Sequence, residues 1–195
     1  MMVTSSRPAE GKTTTSIALA LILARGGKKV ALIDGDMRSP SLHGWFGVSG
    51  DKGASNFLAG EDDWRSLAQQ TRYPNLTLMP AGPQPPNAAE LLQSGRLDGL
   101  IDALLEAHDH VIIDAPPVLG LADAPTVGSS VEAVAYVVEA NGMRARAINA
   151  AMARITAANG RIIGAVLTKF DSRALGYGYG YGYGYGYGYG KKEEA

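Results

Sequence analysis

Short, uninterrupted apolar runs constrain the fold of this chain more than any other feature. Five of them are rich in β-branched residues and lie at positions 30–34, 76–79, 111–114, 133–138 and 162–167. Continuous rather than alternating apolarity indicates strands that are covered on both faces, as in a parallel sheet. The stub at residues 1–4 is a sixth candidate strand.

Helical patterns separate these strands. They cover residues 13–25, 55–58, 63–69, 88–92, 97–107 and 144–158. With 195 residues, 46% hydrophobic and 19% charged, the chain is large enough to bury a real core. Strands that alternate with helices predict a three-layer α/β domain with a mostly parallel sheet, whose ligand site lies at the carboxyl ends of the strands.

The C-terminus differs from this body in composition. Residues 176–190 alternate glycine with tyrosine and hold seven of the nine tyrosines. Ordering eight glycines would cost much backbone entropy. The sequence therefore predicts a globular domain over residues 1–175 and a flexible Tyr-Gly tail over residues 176–195.

Charge and composition exclude several classes of protein. The net charge is −1, so the chain has no general attraction to nucleic acid, and we expect no nucleic-acid partner. It has no cysteine, which excludes disulfides and thiolate metal sites. The longest apolar run, residues 17–24, is too short to cross a bilayer, and the N-terminus lacks a signal pattern. A cytoplasmic location is the expectation.

A candidate phosphate loop, residues 5–14 (SSRPAEGKTT), follows the first strand and opens the first helix. Its backbone N–H groups and the helix N-terminus would cradle phosphates. Lys12 would neutralise the terminal phosphates, and the Thr13 hydroxyl would bind Mg²⁺. Ser6 stands where the usual motif begins with glycine.

Three aspartates stand at predicted strand ends. Asp34 and Asp36 close one buried strand, and Asp114 closes another. Mg²⁺ takes one or two carboxylates together with substrate phosphates, so this placement suits it. With the phosphate loop, the three aspartates predict a Mg–nucleotide site.

These stretches resemble the bacterial tyrosine kinases, the cytoplasmic partners of polysaccharide co-polymerases in capsule and exopolysaccharide synthesis. The resemblance rests on the phosphate loop, on ALIDGDMRSPSLHGWFG (31–47), on LMPAGPQPPNAAELLQS (78–94), on VIIDAPP and on the C-terminal tyrosine cluster. The second stretch is the most specific, because its Asp-x-Asp-Met-Arg-x-Pro-x-Leu-His run separates this family from the partitioning and cell-division ATPases.

The resemblance implies a P-loop NTPase fold and an ATP- and Mg²⁺-dependent kinase that phosphorylates its own tail, in trans between copies. It implies Lys12, Asp34, Asp36 and Asp114 as catalytic residues, and Thr13, Asp36 and Asp114 as metal ligands. The implied nucleotide-binding residues are Pro8, Ala9, Glu10, Gly11, Lys12, Thr13, Thr14 and Thr168. The implied phosphoacceptors are Tyr177, Tyr179, Tyr181, Tyr183, Tyr185, Tyr187 and Tyr189.

The implied partners are a transmembrane polysaccharide co-polymerase that activates the kinase, further copies in a homo-oligomer, and a tyrosine phosphatase. Recruitment to the inner face of the membrane would then come from a partner or from another domain. Family members carry a helix with a Glu/Arg oligomerisation motif before the first strand, where this chain begins. They also usually carry glycine at the position of Ala9, and many carry asparagine at that of Thr168.

Two rival functions remain open at this point. Residues 168–171, Thr-Lys-Phe-Asp, resemble the guanine-reading motif of the signal-recognition GTPases, in which Asp171 would accept hydrogen bonds from guanine. A partitioning-type ATPase that switches without kinase activity is the second rival.

Two aspartates, Asp34 and Asp36, could accept the proton of a tyrosine substrate, and the sequence favours neither. Trp45 and Phe46 are expected to pack beneath the loop that follows Asp36.

Overall fold

The computed structural model describes residues 1–171. This part of the chain has seven strands, β1 (Met2–Ser5), β2 (Val30–Asp34), β3 (Gln69–Gln70), β4 (Leu76–Met79), β5 (His110–Asp114), β6 (Val134–Glu139) and β7 (Ile162–Thr168). Its helices are α1 (Lys12–Arg25), α2 (Leu42–Phe46), α3 (Ala54–Leu58), α4 (Trp64–Leu67), α5 (Ala88–Gln93), α6 (Arg96–Leu105), α7 (Asp123–Ser129) and α8 (Ala145–Ala157).

The strands form one sheet in the order β3-β4-β2-β5-β1-β6-β7. Every pairing is parallel except that of β3 with β4. Because β1, β2, β5 and β7 all run in the same direction, their carboxyl ends lie at one edge of the sheet. The predicted site residues lie at these four strand ends or directly after them.

Helices cover both faces of the sheet, which confirms the three-layer prediction. Helices α1 and α2 pack on one face through Ala20, Ala24, Leu42 and Phe46. Helices α3 to α8 cover the opposite face, where the core includes Leu97, Leu100 and Leu104 of α6 and Ile155 of α8. All five residues of β2 are buried, as its uninterrupted apolarity predicted.

The predicted helix at residues 63–69 is partly wrong. Asp63 caps the helix start by accepting the N–H of Arg65 at 3.1 Å, but the helix ends at Leu67. Gln69 and Gln70 pair antiparallel with β4. Pairing with a neighbouring strand outweighs the local helical pattern here.

Two short helices, α2 and α7, were not predicted from the sequence. The sequence of α7 contains Pro125 and Gly128 and suggests a loop. Because Pro125 lies in the first turn, where a helix has no partner for the backbone N–H, it is compatible with the helix. Helix α2 has only five residues and is held at its start by a distant carboxylate, described below.

No helix in the described residues is long and apolar enough to span a bilayer.

Candidate active site

The phosphate loop connects β1 to α1 and contains two residues with left-handed backbone. Gly11 has φ +96° and Ala9 has φ +64°. A Cβ at Gly11 would lie 3.2 Å from the Thr168 methyl group, so glycine suits this position for two reasons. Ala9 adopts a left-handed conformation that costs an alanine about 1 kcal/mol or more. Pro8 and Ala9 are exposed at the crest of the loop.

Glu10 braces the loop from inside. Its side chain is buried, and its carboxylate accepts the backbone N–H of Arg7 at 2.8 Å. The Arg7 guanidinium lies 3.9 Å from the same carboxylate and donates to the carbonyl of Gly142 at 2.6 Å. The loop is therefore tied both to itself and to the segment after β6.

Lys12, the first residue of α1, projects its ammonium group between two of the predicted aspartates. Its Nζ lies 3.2 Å from Asp36 Oδ2 and 3.7 Å from Asp114 Oδ2. The carboxylates of Asp36 and Asp114 are 9% and 0% exposed. The structure thus brings Lys12 and these two aspartates to one point at the edge of the sheet, as predicted.

The hydroxyl groups of α1 hold Asp114 in place. Thr13 Oγ1 donates to Asp114 Oδ2 at 2.7 Å, and Ser16 Oγ donates to Oδ1 at 3.1 Å. Burial raises the pKa of Asp114, and the charge of Lys12 opposes this rise. Ser16 was not predicted, although its position one helical turn after Lys12 places it on the same side of α1.

Asp34 and Asp36 have different surroundings. Asp34 is fully buried, and its Oδ2 accepts the backbone N–H groups of Ser41 and Leu42, both at 2.9 Å. Its Oδ1 accepts the N–H of Asp36 at 3.3 Å. Burial raises the pKa of Asp34, and these backbone hydrogen bonds oppose the rise. Asp34 therefore fixes the start of α2, and Asp36 is the carboxylate that faces Lys12.

Gly35 lets β2 end close against β5. Asp34 and Asp114 are paired in register on these neighbouring strands. The Gly35 N–H donates to the Asp114 carbonyl at 2.9 Å. A Cβ at Gly35 would lie 2.8 Å from Ile113 Cγ2 and 3.2 Å from the Asp114 carbonyl oxygen. Only glycine keeps the two acidic strand ends at this separation.

Thr168, at the end of β7, contacts the phosphate loop. Its Oγ1 donates to the Glu10 carbonyl at 2.6 Å, and its methyl group faces Gly11. Lys169, the next residue, pairs with Glu139 at 2.9 Å. Thr168 thus supports the loop that was predicted to bind the nucleotide. Thr14, in the first turn of α1, is exposed.

An ion pair that was not predicted from the sequence ties the segment after Asp36 to the start of α7. Arg38 Nε donates to Asp123 Oδ2 at 2.8 Å, and its Nη2 donates to Oδ1 at 3.3 Å. The Asp123 side chain is 4% exposed and that of Arg38 is 43% exposed. Hydrogen bonding to Asp123 raises the pKa of Arg38. Arg154 donates to the carbonyls of Val118 and Leu121, so two arginines hold the segment between β5 and α7.

A second unpredicted contact supports the phosphate loop from below. The hydroxyl groups of Ser6 and Tyr136 lie 2.9 Å apart, and both side chains are buried. Burial raises the pKa of Tyr136, which keeps the phenol neutral. The Ser6 hydroxyl, at the position where the common motif has glycine, thus joins the loop to β6.

The donor set around Lys12 fits a hard divalent cation. Mg²⁺ takes oxygen ligands, and Thr13, Asp36 and Asp114 supply a hydroxyl and two carboxylates within one small region. The Lys12 ammonium stands between the same carboxylates, which shows that this point favours a positive charge. The residues therefore suit Mg²⁺.

The predicted phosphoacceptors Tyr177 to Tyr189 lie outside the described residues. The chain enters that segment after Asp171, three residues beyond the end of β7. Strand β7 ends at the edge that carries the phosphate loop, and the described chain stops three residues after that strand end.

Comparison with known proteins places this geometry in a family. Residues 1–177 match the CobQ/CobB/MinD/ParA nucleotide binding domain. The chain is 34% identical over 178 residues to the tyrosine-protein kinase CpsD of Streptococcus agalactiae, covering 91% of this chain and 78% of that protein. It is 37% identical over 174 residues to the tyrosine-protein kinase etk of Escherichia coli, covering 89% of this chain and 24% of that longer protein.

Solved structures agree. The kinase domain of the E. coli tyrosine kinase ETK superposes with a TM-score of 0.84 at 34% identity, over 93% of this chain and 72% of that one. A MinD protein from Pyrococcus horikoshii, solved with Mg-ADP, has a TM-score of 0.72 at 23% identity, over 85% of this chain and 68% of that one, and supports the fold alone. The chain therefore belongs to the CobQ/CobB/MinD/ParA nucleotide-binding family and, within it, to the bacterial tyrosine kinases.

Proposed function

We propose that this chain transfers the γ-phosphoryl group of Mg–ATP to tyrosines of its own C-terminal segment, acting between copies. The acceptors are Tyr177, Tyr179, Tyr181, Tyr183, Tyr185, Tyr187 and Tyr189. One observation carries the proposal: the ammonium of Lys12 lies within 3.7 Å of both Asp36 and Asp114, at the start of the helix that follows the phosphate loop.

Each residue of the cluster has a role that its surroundings support. Lys12, freed from the carboxylates by the nucleotide, neutralises charge on the terminal phosphates, and the backbone of residues 8–11 cradles them. Thr13, Asp36 and Asp114 would hold Mg²⁺, which supplies further charge neutralisation when bound. Thr168 keeps the loop in this conformation through its hydrogen bond to Glu10.

The phosphoryl transfer itself needs a proton acceptor. A tyrosine phenol has an ordinary pKa of about 10, so it is protonated at neutral pH and is a poor nucleophile. We assign its proton to the Asp36 carboxylate oxygen that would not hold Mg²⁺, as the phenol oxygen bonds to the γ-phosphorus and the bond to the ADP oxygen breaks. Asp34 cannot easily serve, because three backbone N–H groups occupy its oxygens and it is fully buried.

The experiment is incubation with Mg–ATP followed by mass-spectrometric mapping of modified residues. Unlabelled wild-type chain is mixed with ¹⁵N-labelled Lys12→Met chain, so that the two tails differ in mass. We expect phosphate on tail tyrosines of both chains, because the wild type phosphorylates the inactive variant in trans. The Lys12→Met chain alone should remain unmodified.

Three other outcomes have distinct meanings. Phosphate only on the unlabelled tail would show transfer within one copy. Unmodified tyrosines in both chains, despite ATP hydrolysis, would support the partitioning-type switch without kinase activity. Turnover with GTP in preference to ATP would support the GTPase alternative suggested by residues 168–171.

The resemblance to capsule and exopolysaccharide kinases suggests a regulatory role for the modified tail. Seven phosphotyrosines would add roughly −10 to −14 charges, against a starting net charge of −1. We propose that phosphorylated tails repel one another and loosen an assembly of copies recruited to the membrane by a transmembrane co-polymerase, with a tyrosine phosphatase restoring the tails. Equal sedimentation of the phosphorylated and unmodified protein would contradict this.

A further inference from the structure

Trp45 is exposed where packing was expected. Its relative exposure is 62%, whereas Phe46 beside it is 8% exposed and Trp64, the other tryptophan, is 9% exposed. The prediction that Trp45 packs beneath the loop after Asp36 is therefore wrong, whereas Phe46 does pack in the core. An exposed tryptophan presents a large apolar ring to solvent, which is costly without a partner.

The exposure of Trp45 follows from how α2 is anchored. Leu42 and Phe46, one helical turn apart, pack into the core on the α1 side, and Phe46 meets Tyr73 edge-to-face at 6.1 Å between ring centroids. Residue 45 consequently lies off this buried face. Trp45 cannot turn inward unless Phe46 leaves the core.

The position of Trp45 relative to the active site is fixed by Asp34. That carboxylate binds the N–H of Leu42, the first residue of α2, and Asp36 lies two residues further along the chain. Trp45 lines an open depression with Gly44 and with Ser41, whose backbone N–H also binds Asp34. Trp45 is therefore the fourth residue of a helix that begins beside the strand end from which Asp36 follows.

We infer that Trp45 is the docking platform for the acceptor segment, the Tyr-Gly repeat of residues 176–190. One tyrosine ring of the repeat packs on the Trp45 ring while a neighbouring tyrosine lies at Asp36. This inference rests on the proposed function and names the residue that selects its substrate.

The chemistry of the repeat suits such a platform. Aromatic pairs gain about 0.5–1.5 kcal/mol beyond the area they bury, which corresponds to roughly two- to twelvefold in affinity. The intervening glycines add no side chain that would hinder stacking. Consecutive tyrosines lie two residues apart, up to about 7 Å in extended chain, so every register along the repeat offers both a docking ring and an acceptor.

The length of chain outside the described residues also permits this contact. In the sheet order, β2 lies four strands from β7, a span of about 19 Å. Tyr177 lies six residues beyond Asp171, which corresponds to about 20 Å of extended chain. The later tyrosines reach farther. The repeat can therefore reach Trp45 from its own copy or from a neighbour.

The kinetic test uses the full chain and a synthetic peptide of residues 176–190. Trp45→Ala should raise KM for the peptide about three- to tenfold, with kcat at saturating peptide and KM for ATP changed less than twofold. Trp45→Phe keeps an aromatic ring and should retain most of the affinity. Leu105→Ala removes another exposed apolar side chain, 47% exposed on α6, and should leave all three constants unchanged.

A binding test separates docking from catalysis. In a Lys12→Met, Trp64→Phe chain whose seven tail tyrosines are replaced by alanine, Trp45 is the only tryptophan and the attached tail cannot compete for it, so its emission should change on titration with the same peptide. If this change occurs although the wild type transfers no phosphate, the docking inference stands and the proposed function fails.

Other results would overturn the inference. They are a Trp45→Ala chain with wild-type KM for the peptide, an equal change in Leu105→Ala, or no response of Trp45 emission to saturating peptide. Loss of self-association in Trp45→Ala with an unchanged KM would assign the ring to contact with a second copy instead.

Discussion

Substituting Arg38 with methionine tests how the segment between Asp36 and α2 is held. The variant keeps most of the side-chain length but leaves the Asp123 carboxylate, only 4% exposed, without the guanidinium that donates two hydrogen bonds to it. Removing one partner of a fully buried ion pair costs about 3–5 kcal/mol. Because Arg38 is itself 43% exposed, solvent screens the pair, and we expect about 1–3 kcal/mol.

Urea unfolding and thermal melting of the nucleotide-free protein measure this loss. For a domain of this size, about 2–4 °C per kcal/mol converts this loss into a fall in Tm of roughly 2–12 °C. The matched control is Lys52→Met, which breaks the Lys52–Glu61 pair at 3.0 Å, where both side chains are more than a third exposed. It should change stability by less than about 0.5 kcal/mol.

A second variant identifies the cause. Adding Asp123→Asn to Arg38→Met removes the unpaired buried charge and should recover more than half of the lost stability. Two results would contradict this account of the pair. One is an Arg38→Met variant as stable as Lys52→Met. The other is a double variant that is less stable than Arg38→Met alone.

Three further predictions concern the strand ends and the loop. Gly35→Ala should lower the free energy of unfolding, measured in urea titrations, by about 1–3 kcal/mol, because the added Cβ would clash with β5. The control is Gly99→Ala, at an exposed helical position where a Cβ would meet nothing within 4 Å; it should raise the free energy of unfolding by about 0.5–1 kcal/mol. Ala9→Gly should raise Tm slightly or leave it unchanged, since it relieves the left-handed alanine; a clear fall in Tm would contradict the assigned backbone. Burial raises the pKa of Asp34 and Asp114 above the ordinary 3.8, so between about pH 4 and the raised values the folded protein binds more protons than the unfolded chain. Their contribution to stability therefore falls as pH rises through that window, and Asp34→Asn should flatten this slope in EDTA-containing buffers.

The sheet and the convergence of Lys12 with the aspartates were predictable because both follow from local patterns. Uninterrupted apolar runs gave β2 and β4 with the observed bounds, residues 30–34 and 76–79. Parallel strands bring their carboxyl ends to one edge, so aspartates that follow such strands must lie near a loop that follows a neighbouring strand.

The different environments of Asp34 and Asp36 could not be predicted in this way. They depend on α2, a five-residue helix with weak local signal, which places two N–H groups on Asp34 alone. The Arg38–Asp123 pair joins residues 85 positions apart, so no local sequence pattern predicts it. Likewise, Gln69 continues a helical pattern in the sequence but pairs as a strand with β4. In each case a tertiary contact decides what the local sequence leaves open.

A crystal structure with Mg²⁺ and a non-hydrolysable ATP analogue tests the central claim most directly. We expect Lys12 Nζ to leave Asp36 and Asp114 for the terminal phosphates, and Mg²⁺ to take its place among Thr13, Asp36 and Asp114, with Asp34 still bound to the start of α2. A nucleotide bound elsewhere, or Lys12 still paired with both carboxylates beneath a bound nucleotide, would contradict a single catalytic centre at this sheet edge.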